Sequence, residues 1–279
     1  VDRKRKRMVR LGAGLAAATL VWTGVTSSAQ AAISDDDLRP LVIGGQPAEE
    51  GQYPWLVGIG SSGEGTPWER QSCGGSVITK TVVLTAAHCV EDAVDDPEGL
   101  VIFSGSVDLE SDELVETAVT DLHLAHDYGE PVGSANDWAL LLLDEPVDID
   151  PIEVDVDPAE FETLEAVGWG QTGEGYPTVA RWVELPFVDD EACSDAYPGA
   201  FDGQTMLCAG DLQNGGVDTC DGDSGGPLLA PDDKGRQILV GIVSWGDGCA
   251  EPGSPGVYAE VADFNGSMDD AIDGWADGE

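Results

Sequence analysis

The sequence predicts an all-β fold of barrel or sandwich class, closed by one C-terminal helix. Two observations predict it. Short runs rich in β-branched and apolar residues recur along most of the chain, with glycine and proline between them. Regular short strands with such punctuation mark all-β architectures. Only the stretch 261–275 spaces its apolar residues as a helix does: Val261, Phe264, Met268, Ile272 and Trp275 fall at steps of three or four.

The chain has 279 residues, 42% of them apolar, enough for one large or two small cores. Its start stands apart. Arg3-Lys4-Arg5-Lys6-Arg7 and Arg10 precede an apolar run over 11–25, followed by Ser27, Ser28 and Ala29-Gln30-Ala31. A charged start, a short apolar middle and an A-x-A end describe a secretory signal over 1–31, cleaved after Ala31. The run is short for a membrane span, which needs about 20 apolar residues. Residues 32–41 are a short polar segment, and Val42-Ile43-Gly44-Gly45 follows it.

Strand-like runs then occupy 53–60, 77–84, 100–103, 116–124 and 138–143. The segment 144–158 holds Pro146, Pro151 and Pro158 among aspartates and reads as a connection between two halves. Strand-like runs resume at 165–168, 180–188, 205–208 and 238–245. No repeat of about 20–50 residues is visible.

Charge narrows the function classes. Six of the twelve basic residues lie in the leader with one acidic residue, Asp2, which leaves six basic against 53 acidic residues, a net charge of −47. Such a surface repels itself at low salt and argues against nucleic-acid binding. At molar salt the Debye length falls to roughly 3 Å and the repulsion is screened. The scattered acidic residues therefore read as the solvated shell of a protein adapted to concentrated salt. Six cysteines, all after the leader, favour disulfides in an exported chain; six allow 15 pairings, and no CxxC spacing suggests zinc.

The candidate chemistry centres on Gly216-Val217-Asp218-Thr219-Cys220-Asp221-Gly222-Asp223-Ser224-Gly225-Gly226-Pro227. Glycines around a serine let the backbone approach a ligand and turn sharply. A serine there can offer its hydroxyl and nearby N–H groups to one carbonyl, the geometry of acyl transfer. The bland reading is a surface turn with an ordinary serine. A serine nucleophile needs a base, and there are three histidines, His88, His123 and His126. His88 follows a β-branched run and the small pair Ala86-Ala87, which leaves room for a substrate. His123 and His126 lack small neighbours. Asp137 sits at the edge of Trp138-Ala139-Leu140-Leu141-Leu142-Leu143, where a half-buried carboxylate needs a partner.

Thr85-Ala86-Ala87-His88-Cys89, Asn136-Asp137-Trp138-Ala139-Leu140-Leu141 and Gly222-Asp223-Ser224-Gly225-Gly226-Pro227 resemble, in order, the three catalytic motifs of the chymotrypsin-fold serine proteases. The resemblance spans nearly all of 42–275. It is strongest to the trypsins, and among them to the secreted trypsins of actinobacteria, through Gly215-Gly216-Val217-Asp218-Thr219-Cys220 and Val240-Gly241-Ile242-Val243-Ser244-Trp245-Gly246.

The resemblance implies two antiparallel six-stranded β-barrels, about 42–150 and 151–260, and a C-terminal helix at about 261–275, within a protease domain over 42–279. It implies His88 as base and acid, Asp137 as its orienter, Ser224 as nucleophile, and the N–H groups of Gly222 and Ser224 as the oxyanion hole. Disulfides Cys73–Cys89, Cys193–Cys208 and Cys220–Cys249 follow from it. So does a primary pocket with Asp218 at its base, favouring substrate Arg or Lys, and with Gly246 and Gly256 as open walls. Ser244, Trp245 and Gly246 would pair with the substrate backbone. Residues 32–41 become a propeptide, and activation would pair the freed Val42 with Asp223. Relatives carry Arg or Lys before that cut. Here it is Leu41, and Arg39 precedes Pro40, so a separate activating protease is implied. No cofactor is expected. The acidic stretch 108–116, with Glu110, Asp112 and Glu113, is the weak candidate for structural calcium, and Pro255 speaks against a sodium site. The expected product is a secreted monomer acting on proteins or peptides, with no membrane or nucleic-acid partner. Asp221 is read as part of the acidic shell.

Overall fold

The computed structural model describes residues 43–154, 161–232 and 234–276. The expected signal, the propeptide and Val42 lie outside the described residues.

Two closed barrels carry the fold. The first uses β2 (Leu56–Ser61), β3 (Gln71–Thr79), β4 (Val82–Thr85), β5 (Leu100–Ser104), β6 (Val115–Leu124) and β7 (Ala139–Leu143). Its strands close in the order β2-β3-β4-β7-β6-β5. The second uses β9 (Thr163–Gly168), β10 (Arg181–Val188), β11 (Met206–Ala209), β12 (Pro227–Pro231), β13 (Gln237–Trp245) and β14 (Gly256–Glu260). It runs β9-β10-β11-β14-β13-β12, and β12 returns to β9 through Leu228 opposite Ala166. The two rings thus share one strand order. The short β1 (Gln46–Pro47) extends β10, and β8 (Glu153–Val154) lies parallel to β13.

Alternation explains the pairing. In β6, Thr117 and Val119 point inward while Glu116, Ala118 and Thr120 face solvent. β7 lies between β4 and β6, and nearly all of Ala139-Leu140-Leu141-Leu142-Leu143 is buried. The first barrel is filled by residues such as Val57, Ile59, Val83, Ile102 and Leu141. Leu164, Leu185, Leu228, Val240 and Tyr258 fill the second. Each such aliphatic side chain stabilises the fold by about 1.5–3 kcal/mol.

The run at 77–84 is not one strand. β3 ends at Thr79, the chain reverses at Lys80-Thr81, and β4 returns antiparallel with Ser76 opposite Leu84. β-branching reports extended backbone on both sides of a turn and is blind to the reversal between them. β12 and β14 begin with Pro227 and Gly256, so residues that read as punctuation open strands. Two short helices also lack a sequence-level expectation. α1 (Pro67–Arg70) is capped by Thr66 with Glu69 reaching back, and α2 (Asp190–Ala196) by the Asp189 carboxylate.

The C-terminal helix α3 (Val261–Ala276) buries Val261, Phe264 and Met268, as their spacing predicts. It reaches across to the first barrel. Phe264 stacks on Trp138, with ring centroids 5.1 Å apart and planes 12° from parallel. The Trp275 indole N–H donates to Asp121 Oδ2 at 2.9 Å.

Candidate active site

Two neighbouring strands bring the histidine and the aspartate together. β4 and β7 pair with Thr85 opposite Ala139. A single 3-10 turn, Ala87–Cys89, follows β4 and carries His88; Asp137 stands just before β7. His88 Nδ1 lies 2.7 Å from Asp137 Oδ2, and the His88 backbone N–H donates to Oδ1 at 3.0 Å. From the second barrel, Ser244 Oγ donates to Oδ2 at 2.5 Å. Asp137 is 1% exposed, so its charge is met entirely by these donors. The turn that aims it inward puts Asn136 at φ 55°, a region asparagine tolerates, and the Asn136 amide donates to the Glu130 carbonyl at 3.0 Å. With Nδ1 facing a carboxylate, Nε2 keeps its lone pair for a proton. Burial pulls the His88 imidazole down, but the hydrogen bond and charge of Asp137, with Glu91 behind, outweigh it and hold it above its ordinary value.

The serine loop belongs to the second barrel and is tied to the first. The Gly74 N–H on β3 donates to the Ser224 carbonyl at 2.8 Å. Gly225 N–H donates to Val243 and Val243 N–H to Gly226, which lock the loop to β13. Gly225 has φ +76°, and a Cβ there would lie 2.2 Å from Thr85 Oγ1 and 2.6 Å from the Gly74 carbonyl. The seam between barrels is therefore closer than any side chain permits. Gly222 has φ +96°. Among the described residues, no acceptor meets the N–H of Gly222 or of Ser224.

Asp223, 1% exposed, accepts from Gly170 N–H at 2.7 Å and Cys220 N–H at 3.0 Å. Burial pushes its carboxyl up to about 6, against the pull of those two donors. A Cβ on Gly168 or Gly170 would fall 2.3 or 2.1 Å from its oxygens. Ile43 runs beside the loop, its carbonyl accepting from Asp218 N–H at 3.0 Å.

A cavity of about 260 Å³ opens next to Ser224, with Asp218, Ser244, Trp245, Gly246 and Gly256 in its wall. Asp218 is 2% exposed and accepts from Thr219 N–H at 2.8 Å and Ala250 N–H at 2.9 Å. Burial, with the nearby charge of Asp223, pushes it up to about 7 despite those donors. Gly256 does more than leave a slot open: a Cβ there would lie 2.6 Å from Asp218 Oδ1. Trp245 is braced edge-on by Tyr197 at 4.8 Å. Asp221 is exposed, as a shell residue should be, yet it also lines this cavity.

Three disulfides hold these parts: Cys73–Cys89 beside His88, Cys193–Cys208 between α2 and β11, and Cys220–Cys249 across the cavity wall. Each contributes about 2–4 kcal/mol in the usual case. His123 lies elsewhere, half-buried against Trp138 at 5.7 Å, with its imidazole pulled down by burial. In the acidic stretch, Asp108 accepts from the Glu110 backbone rather than joining a carboxylate cluster. Among the described residues, the close grouping of metal-capable side chains is Cys73, His88 and Cys89, whose sulfurs are spent in a disulfide. Sequence reasoning gave no role to Gly74, Thr85, Gly168 or Gly170. The Gly168-Trp169-Gly170 triplet was the available signal for the last two.

A buried carboxylate holding an imidazole, and a serine on a glycine-rich loop docked across two six-stranded barrels, define a serine hydrolase of the chymotrypsin fold. The family model described as Trypsin matches residues 42–267, and the chain belongs to that family. It is 38% identical over 228 residues to a trypsin-like protease of Streptomyces glaucescens, covering 80% of this chain and 79% of that one. It is 38% identical to trypsin-1 of Astacus astacus, over 79% and 95% of the two chains. To the trypsin of Saccharopolyspora erythraea it is 34% identical, over 80% and 94%. The protein is a trypsin-like serine endopeptidase, and its substrates are proteins.

Proposed function

We propose that this endopeptidase cleaves after Arg or Lys, and that it is exported as a zymogen and works in concentrated salt. The observation that carries the specificity is Asp218, a buried carboxylate in the cavity next to Ser224 with no cation beside it among the described residues. A guanidinium or ammonium entering there gains charge-assisted hydrogen bonds in a site sheltered from water.

In this reading Ser224 Oγ attacks the scissile carbonyl while His88 Nε2 takes its proton. Asp137 holds the imidazole and stabilises its charged form. The N–H groups of Gly222 and Ser224 receive the developing oxyanion, and losing one such donor typically costs about 3 kcal/mol. The C–N bond breaks, and the amine leaves with the proton from His88. Water, deprotonated by His88, then opens the acyl-enzyme and restores Ser224. Ser244, Trp245 and Gly246 hold the substrate as an added strand.

Export rests on the leader over 1–31 and on the disulfides. Activation rests on Asp223, buried with no cation beside it among the described residues, and on Ile43 running beside its loop; an ammonium on Val42, freed by a second protease cutting after Leu41, would supply a counter-charge. Salt adaptation rests on the net charge of −47 after the leader.

One experiment addresses all three. Enzyme processed by its host is sequenced from its N-terminus, then assayed on matched Arg and Phe esters from zero to several molar salt. The expected result is a start at Val42, a strong Arg preference, and activity and folding that both need salt. Equal rates on the two esters, another N-terminus, or full stability without salt would each sink the corresponding part.

A further inference from the structure

We propose that Gln71 is a positioning residue for the oxyanion-binding backbone, acting through the carbonyl of Gly222. The inference rests on the assignment of Gly222 and Ser224 made above.

Gln71 opens β3 in the first barrel. Its carboxamide nitrogen donates to the Cys73 carbonyl of its own strand at 2.9 Å and to the Gly222 carbonyl at 3.3 Å. An amide nitrogen has two hydrogens. Both are used here, one on each barrel, so the group cannot rotate without losing a bond. Its stem lies flat on β2: a Cβ on Gly58 would come 3.2 Å from Gln71 Cγ.

The acceptor is the weak point of the loop. Asp221 is held through its carbonyl by Gln171 N–H at 2.7 Å. Asp223 is held through its carboxylate and its own N–H. Gly222 lies between them at φ +96°, a conformation that glycine enters and leaves freely. Among the described residues, Gln71 is the donor that reaches its carbonyl. Pinning that oxygen removes the rotation that would turn the Gly222 N–H away from a substrate. The donor is neutral, so the hold does not titrate, and molar salt has no charge here to screen.

The test uses processed enzyme carrying Gln71→Met, which keeps the length without a donor, or Gln71→Glu, which sets an acceptor against two carbonyls. Active sites are counted by titration. Four quantities are compared: kcat and KM on an Arg ester, affinity for a peptide aldehyde ending in Arg, affinity for benzamidine, and Tm. The aldehyde adds to the serine and presents an oxyanion; benzamidine fills only the Asp218 cavity. Gln71→Met should lower kcat and aldehyde affinity together, roughly five- to tenfold, with KM and benzamidine affinity unchanged. Gln71→Glu should lose more. Parental kcat and aldehyde affinity in both variants overturn the proposal, whatever Tm does. So does an equal loss for aldehyde and benzamidine, which would mean the cavity itself has collapsed. Failure of the underlying reading shows in the parent instead, as an aldehyde that binds no tighter than the matching alcohol.

Discussion

The two barrels share a strand order yet treat their buried carboxylates in opposite ways. Asp137, at the end of the first, is met by the His88 ring, the His88 backbone and Ser244. Asp218 and Asp223, in the loop of the second, each receive two backbone N–H groups and no cation among the described residues. Burying a carboxylate without a counter-charge is costly. Asp137 of the first barrel is fully partnered as folded, with Ser244 of the second supplying one of its donors. In the reading proposed above, the second barrel is completed from outside, by substrate at Asp218 and by a new chain terminus at Asp223.

The largest test disturbs the partnering at Asp137. Asp137→Asn leaves the shape but offers His88 the wrong partner, and kcat should fall on the order of 10⁴-fold in burst-corrected assays. A fall under tenfold would break the contrast.

The second barrel is tested through pH. The Asp218 carboxyl lies above the ordinary 3.8, at about 7. Between those values the unfolded chain holds fewer protons than the folded one, so stability falls as pH rises through that window. The loss is on the order of 4 kcal/mol at full ionisation. In molar salt, unfolding of ligand-free enzyme at pH 4 and 7.5 should show this fall, and Asp218→Asn should reduce it, leaving the part that Asp223, raised to about 6, contributes in the same window. His88 acts in a different window. Its raised value adds stability that is complete below about 6.5 and is lost as pH climbs through the folded value.

A smaller effect sharpens the Asp223 side. Gly170→Ala puts a methyl 2.1 Å from Asp223 Oδ2, and relief of that overlap should cost about 1–3 kcal/mol. Titration of processed enzyme should then find a reduced fraction of competent sites, with KM on those that remain unchanged. The smallest effect is the position of the acid limb of kcat/KM. It should lie above 6.5, because the Asp137 contact holds His88 up against burial. A limb below that value would mean the pair is looser in solution.

Much of this was legible in the sequence because the chemistry is local. His88, Asp137 and Ser224 each stand in a short motif that resembles one of three in a known family, and the helix at the end declares itself by spacing. What stayed hidden is contact between distant positions. Gly168 and Gly170 matter because the Asp223 carboxylate, more than fifty residues later, occupies the space a methyl would need. Thr85 and Gly74 matter because Gly225 presses on them. Val77 to Leu84 misled because a turn of two ordinary residues carries no compositional mark.

The helix α3 belongs to the second barrel by sequence and to the first by contact. Trp138, next in the chain to Asp137, is covered by Phe264, and Asp121 is tied by Trp275, so a segment far along the chain finishes the first barrel. A chain cut short before Val261 lacks the ring that covers the tryptophan beside Asp137. The helix thus works as a clasp, tying the end of the second barrel's last strand to the wall of the first.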